Sequence, residues 1–350
     1  MLNNSTVVQT TPSSMIEDST ESHVTNTTMA SFDPGVQERS MLAKIVGFIC
    51  FFSLTATGVV GNSLVIYTIF TDFTLQIKTQ LSNMPILSLA YIDLITTGIC
   101  SMLGAASIVY DEYPFGKIVC GIWAYVNLLG LITTIGILAV ISVDRFIAVG
   151  WSLHYPQMVT YNRIAAGCGY VWVMCLAVSV VWVSTEYGYD FWAGVCDVTW
   201  ANFGPDFPRE FYFAIVCAFI YVFIPSAIIL ACNLLIIQFS KEKGHAATAG
   251  SDGKQDAKSK ANSKVLKAMI IVILSFFTLT FPSALIKILK VIGGKDGPVK
   301  YIPNIFTTFT TFLQLSASIV NPFIYGLFRK DFRDAYAKLW KQMKQALNLK

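Results

Sequence analysis

Charged residues are scarce in this chain. Asp, Glu, Lys and Arg make up 13% of its 350 residues, while 54% are hydrophobic. A soluble globular protein carries about a quarter charged residues, so much of the surface that keeps a chain in water is missing. The few charges cluster in short stretches between long apolar runs. A bilayer imposes that arrangement, because an ionised side chain at mid-membrane costs roughly 2.5–3.5 kcal/mol. Histidine occurs only at His23, His154 and His245, all in polar stretches, and no HExxH, GxSxG or pair of intramembrane carboxylates is present. An enzyme is therefore not expected. No Lys/Arg tract interleaved with aromatics offers a nucleic-acid face, so nucleic acid is not expected as a partner despite the net charge of +4. None of the eight cysteines stands in a CxxC pair, which argues against a zinc or thioredoxin-type centre. Cys50, Cys100, Cys168, Cys175, Cys217 and Cys232 fall inside apolar runs, where a free thiol behaves as a small hydrophobe. Cys120 and Cys196 lie near the ends of runs. No cysteine follows Cys232, so the tail has no site for a palmitoyl anchor.

What is present divides into three parts. Residues 1–40 are Ser/Thr/Asn-rich, end in an Asp33-Pro34-Gly35 turn signal, and are expected to form a disordered tail. They lack the basic-then-apolar design of a cleavable leader. Asn3, Asn4 and Asn26 each open an N-glycosylation sequon, which favours an extracellular N-terminus. Residues 41–327 hold seven apolar stretches, near 43–70, 81–109, 117–149, 163–185, 211–239, 265–291 and 302–327. Each exceeds the ~20 residues a helix needs to cross the hydrocarbon. With the N-terminus outside, 71–80, 150–162, 240–264 and the tail from 328 face the cytoplasm. Lys241, Lys243, Lys254, Lys258, Lys260 and Lys264, with Arg329, Lys330, Arg333, Lys338, Lys341 and Lys344, then obey the positive-inside rule. The outer loops lean acidic, with Asp111, Glu112, Glu186, Asp190, Asp197, Asp206 and Glu210; Lys117, Lys295 and Lys300 are exceptions. Segment 241–262 is expected to be a mobile loop. In the third part, 328–350, Phe332, Ala335, Tyr336, Leu339, Trp340 and Met343 share one helical face, which suits a helix lying on the membrane surface. The expected fold is an all-α membrane protein: a seven-transmembrane bundle with a short amphipathic eighth helix, in a lipid bilayer.

Polar residues inside the spans carry the functional signal. Gly61-Asn62, Leu89-Ala90-Tyr91-Ile92-Asp93, Asp144-Arg145-Phe146, Trp172, Pro225, Phe276 with Pro282, and Asn321-Pro322-Phe323-Ile324-Tyr325 stand in that order along successive spans. Over nearly all of 43–345 this resembles the rhodopsin-like (class A) G-protein-coupled receptor family. The resemblance implies a plasma-membrane receptor with its C-terminus in the cytoplasm, an extracellular ligand and a heterotrimeric G protein as partners. It implies an activation switch of Asp144, Arg145, Phe276, Pro282, Asn321, Pro322 and Tyr325. Arg145 would be freed from Asp144 to meet the G protein; the alternative is an arginine that merely snorkels. Three prolines, Pro225, Pro282 and Pro322, each remove a backbone hydrogen bond and can kink a helix. The resemblance also implies a sodium ion at Asp93, with Thr134, Ser318 and Asn321 and with Asn62 nearby; the alternative is a carboxyl kept neutral by burial. No other metal is expected. Finally, it implies a disulfide between Cys120 and Cys196, which an oxidising exterior permits.

Landmarks narrow the ligand. Seven residues after Cys120, where amine receptors hold an Asp, stands Asn127, so a cationic amine loses its anchor. The local wording is similar to opsins at Ser82-Asn83-Met84, Tyr113-Pro114-Phe115-Gly116 and Lys267-Ala268-Met269-Ile270, and Asp190 falls where opsins keep an acidic residue. Yet six residues before Asn321, where opsins carry the retinal lysine, stands Leu315. Without a primary amine no Schiff base forms there, so no covalent cofactor is expected; a photoreceptor holding retinal non-covalently is the alternative. Two further departures are Thr280, in place of a tryptophan two residues before Pro282, and Asn233, in place of a tyrosine eight residues past Pro225. The expected ligand pocket draws on Trp123, Asn127, Ser283, Lys287, Gln314 and Leu315, whose mostly neutral character suggests a small, largely uncharged ligand. Lys287 either pairs with an acidic ligand group or snorkels to the interface. A membrane transporter would need further buried charges along a path, whereas Asp93 stands nearly alone.

Overall fold

The computed structural model describes residues 39–110, 113–203, 208–247, 253–293 and 302–346. The tail and its three glycosylation sequons lie outside the described residues. Seven helices are long and apolar enough to cross a membrane. These are α1 (Met41–Thr71), α2 (Asn83–Ser107), α3 (Gly116–Gly150), α4 (Tyr161–Thr185), α5 (crossing over Arg209–Phe239), α6 (Gly253–Gly293) and α7 (Asn304–Phe328). An eighth, α8 (Lys330–Ala346), follows α7.

In hydrocarbon every polar group must find its partner inside the protein. Several hydroxyls within the spans accordingly donate back to carbonyls four residues earlier: Thr55 to Phe51, Thr96 to Ile92, Ser142 to Leu138 and Ser316 to Phe312. Large apolar side chains such as Phe52, Tyr170, Val173, Leu230, Leu274, Phe281 and Leu327 point outward and are exposed. In water they would drive aggregation; facing lipid they cost nothing.

The centre of the bundle is α3. Of its most apolar stretch 78% is buried within the protein, against 17% for α1 and for α5. Packed around it are α2, α4 and α5, while α7 bridges α6 and α1. Close approach is built into the sequence at Gly130, where a Cβ would lie 2.5 Å from Thr96 Oγ1 on α2. Pro225 is accommodated differently. Its ring would strike the carbonyl four residues back, at Tyr221, and that residue lies in a π-wound turn, Phe219–Phe223.

The expected all-α bundle of seven spans with an eighth helix is the fold observed. It carries one small addition: Tyr187–Asp190 and Val195–Val198 form an antiparallel hairpin, β1–β2, pairing Tyr189 with Cys196 and Gly188 with Asp197. Its turn closes at Gly194, whose φ of +68° suits a residue without Cβ. Cys120 at the start of α3 is disulfide-bonded to Cys196 on β2, with Cα atoms 5.3 Å apart, so the hairpin lies across one end of the bundle. In segment 241–262, expected as a mobile loop, the described residues continue α5 to Ala247 and begin α6 at Gly253. Its Ala, Lys, Glu and Gln residues are good helix formers, and that propensity continues the spans beyond the apolar stretch.

Candidate functional site

A cavity of about 600 Å³ opens at the hairpin end, between the hairpin, α3, α6 and α7. Its floor is a chain of neutral polar groups. Ser283 on α6 donates to Gln314 Oε1 on α7 (2.6 Å), and Gln314 Nε2 donates to Asn127 Oδ1 on α3 (3.1 Å). Its mouth is charged. Lys287 pairs with Asp197 at 2.8 Å and Lys290 with Asp190 at 3.0 Å. Thus Asn127, Ser283, Lys287 and Gln314 line the cavity. Trp123 and Leu315 do not. Both are fully buried in an apolar cluster with Phe51, Cys120 and Cys196, because α3 and α7 turn those positions toward neighbouring helices rather than the opening. Trp123 packs among Tyr113 and Tyr189. Lys287 does not snorkel outward, since the hairpin supplies its counter-ion inside the bundle. The lining is less neutral than the six expected residues alone, because Asp190, Asp197 and Lys290 also border the cavity. Asp197, read in sequence as an outer-loop charge, and Asp190, read also as an acidic residue that opsins share, both border the site.

Midway through the bundle, the Asp93 carboxylate of α2 is 1% exposed. Asn321 Nδ2 donates to its Oδ2 at 2.7 Å, and the Ser318 side chain contacts the same group. Pro322 has no N–H to give the Ser318 carbonyl. Asn62 on α1 supplies the missing donor: its Nδ2 lies 3.0 Å from Ser318 O. Asn62 Oδ1 is buried with no hydrogen-bond partner. One carboxylate with neutral oxygens around it, and an acceptor left over, fits a single hard monovalent cation. Thr134 is buried on α3 but is not hydrogen-bonded to Asp93. Among the described residues no group of three or more His, Cys, Asp or Glu could hold a metal.

At the α8 end, Arg145 is paired with its neighbour Asp144, its Nε 2.8 Å from Asp144 Oδ2. The other carboxylate oxygen accepts from the Tyr155 hydroxyl at 2.7 Å. Tyr155 sits on a single helical turn, Tyr155–Met158, between α3 and α4. Burial, and then the adjacent Asp144 charge, push that hydroxyl well above the ordinary tyrosine range, so it stays protonated and donates. Asp144 is therefore gripped from both sides. Nothing in the spacing of Tyr155 from Asp144 signals this contact. Arg329, read in sequence only as a cytoplasmic charge, is 1% exposed. It bonds Asn83 Oδ1 (3.0 Å) and pairs with Asp331 (2.5 Å), stapling the α7–α8 junction to the base of α2.

Of the other positions expected in the switch, Phe276, Asn321, Pro322 and Tyr325 are buried and Pro282 is partly buried. Phe276 accepts through its carbonyl from Thr280 Oγ1 at 2.8 Å, so the residue replacing tryptophan bonds within its own helix. Pro282 follows two residues later inside α6 and Pro322 lies inside α7. The Tyr325 ring packs on Phe332 of α8, and its hydroxyl is buried without a partner. Asn233 on α5 donates to Ser142 on α3 (3.3 Å) as well as to its own helix.

Residues 61–325 match the family described as the 7 transmembrane receptor (rhodopsin family). The chain belongs to that family. It is 25% identical to somatostatin receptor type 5 of Bos taurus over 318 residues, covering 90% of this chain and 80% of the relative. It is 25% identical to galanin receptor 2a of Danio rerio over 300 residues (85% and 78%). With the alpha-1A adrenergic receptor of Oryzias latipes it shares 29% over 233 residues, 65% of this chain but only 44% of that receptor's length. The crystal structure of squid rhodopsin superposes with a TM-score of 0.76 at 20% identity, covering 89% of each chain, a likeness of fold.

Proposed function

We propose that this protein is a plasma-membrane receptor that transmits binding of an extracellular ligand, at the hairpin-end cavity, to a heterotrimeric G protein at the α8 end. The N-terminus faces the exterior and the C-terminus the cytoplasm. The observation that carries this reading is the grip on Asp144 by Arg145 and Tyr155, beneath a cavity in the same bundle. Arginine held by a neighbouring carboxylate is an engaged switch, and a competing partner disengages it. Between the two ends the bundle buries further polar groups that lipid would otherwise exclude: the Gln314–Asn127 and Asn321–Asp93 bonds and the Tyr325 hydroxyl. The α6 helix touches the ligand through Lys287 and contains Pro282, where a missing backbone bond permits a pivot.

A sodium ion bound by Asp93, Ser318 and the oxygens of Asn62 and Asn321 would supply positive charge to the buried carboxylate. Asn321 holds the Asp93 carboxylate and Asn62 holds the Ser318 carbonyl. A retinal photoreceptor draws less support. Leu315 offers no amine and is buried away from the cavity, and the relatives named above are adrenergic, galanin and somatostatin receptors.

The test is nucleotide exchange on purified G-protein heterotrimers with the receptor in lipid nanodiscs. Arg145→Ala is expected to abolish stimulated and basal exchange, and Asp144→Asn to raise basal exchange. Unchanged exchange in both variants, with normal surface delivery, rejects the switch.

A further inference from the structure

The mouth of the cavity is neutral in sum yet densely charged. Lys287 and Lys290 lie one turn apart on α6, and each meets an aspartate on a different strand of the hairpin. The inner pair is nearly enclosed: the Lys287 and Asp197 side chains keep 14% and 13% of their exposure. The two halves differ in rigidity. Val198 N–H donates to Asp197 Oδ1 (2.8 Å) and Ala193 N–H to Asp190 Oδ1 (2.9 Å), so both carboxylates are held from behind by their own backbone. Asp197 also adjoins Cys196, which the disulfide ties to α3. The ammonium groups hang from α6 on flexible stems. Each is paired with one aspartate and has donors to spare.

Taking the cavity as the ligand site, as proposed above, we infer that its ligand is a dipolar ion of the amino-acid or short-peptide class, inserted between α6 and the hairpin. Its anionic group meets Lys287 or Lys290, and its cationic group meets Asp197 or Asp190. Charge balance separates this class from the others. A singly charged ligand that captured one member of a pair would strand the other without a counter-ion in a mostly buried site, which is strongly unfavourable. An uncharged ligand would leave both pairs closed across the mouth. A ligand carrying both signs that opens one pair replaces it with two new ones and leaves the other pair closed. The floor suits the same class, because Asn127 and Gln314 present amide donors and acceptors that match a peptide bond. The volume of about 600 Å³ lies within the ~300–1,000 Å³ of small-molecule sites, so a small dipolar molecule or the end of a peptide fits and a folded domain does not. Insertion also parts α6 from the hairpin just beyond Pro282.

Receptor in nanodiscs is heated with a thiol-reactive dye in the presence of free amino acids and dipeptides, each beside its N-acetyl and C-amide forms. At least one doubly charged compound is expected to raise the Tm, and blocking either of its charges to weaken apparent affinity about tenfold or more. Lys287→Gln and Asp197→Asn should each cause a similar loss; Lys290→Gln, at the more exposed pair, serves if Lys287→Gln fails to reach the membrane. Blocked forms that bind as well as their parents overturn the inference, and so does a panel in which no doubly charged compound stabilises the receptor. Basal nucleotide exchange separates the two failures. If exchange still depends on Arg145, only the ligand class is wrong; if it does not, the receptor reading itself fails.

Discussion

Replacing Asn62 with alanine removes the donor that serves the Ser318 carbonyl, an oxygen orphaned by Pro322. A buried carbonyl left without a partner costs about 1–3 kcal/mol. At roughly 2 °C per kcal/mol for a protein of this size, the Tm should fall by about 2–6 °C. That fall alone would not prove the cause, because the lost side-chain volume also destabilises. Pro322→Ala supplies the control. It returns an N–H four residues after Ser318, where it can bond the same carbonyl within the helix, so Asn62 becomes partly redundant. In that background the penalty of Asn62→Ala should shrink by about 1 kcal/mol or more, while the volume change stays the same and cancels in the cycle. The assay is thermal unfolding with a thiol-reactive dye, since Cys100, Cys168, Cys175, Cys217 and Cys232 are buried until the bundle opens. Additive losses within about 0.5 kcal/mol would refute the link between the proline and the asparagine.

Three other outcomes follow from the packing. Gly130→Ala should destabilise the receptor by about 1–3 kcal/mol, because its Cβ would meet Thr96 Oγ1 at 2.5 Å; Thr96→Ala in the same chain should relieve most of the loss, and thermal unfolding of the pair checks it. Cys120→Ser should reduce surface delivery, and non-reducing mass spectrometry of the parent should recover a Cys120–Cys196 cross-linked peptide; two free thiols at the cell surface would contradict it. Asp72 is held below the ordinary carboxylate range, first by the Thr74 hydroxyl, with Lys338 on α8 also favouring its charge. Its folded value is depressed, so its contribution is present above the unfolded pKa of about 3.9 and is lost as pH falls through the folded value. A fluorophore on α8 should therefore report looser attachment to the α1–α2 loop in acid, and Asp72→Asn should remove that pH response.

Much of the fold was legible because lipid reads composition. A run of some twenty apolar residues crosses wherever it occurs, and the short polar signals at Asn62, Asp93, Asp144-Arg145 and Asn321-Pro322 register each span by position alone. The amphipathic α8 was equally legible, since Phe332 and Ala335 repeat at helical spacing and both are buried. The hairpin was not. Tyr187–Asp190 and Val195–Val198 are four residues each, too short for alternation to stand out. What holds them flat is the Cys120–Cys196 bond and the bundle beneath.

The same contrast divides the site. Local sequence determined that the chain spans the membrane seven times, which family's motifs it carries, and that Leu315 rather than lysine stands at the retinal position. Tertiary structure decided which side chains meet: that Trp123 and Leu315 turn into the packing, that Lys287 and Lys290 turn toward the hairpin aspartates, and that Tyr155 reaches Asp144. The reason is rotational. A helix apolar on every side looks the same to lipid at any angle about its axis, so its facing is set by the neighbours it packs against. A loop's charges acquire partners only after the helices that flank it have been placed.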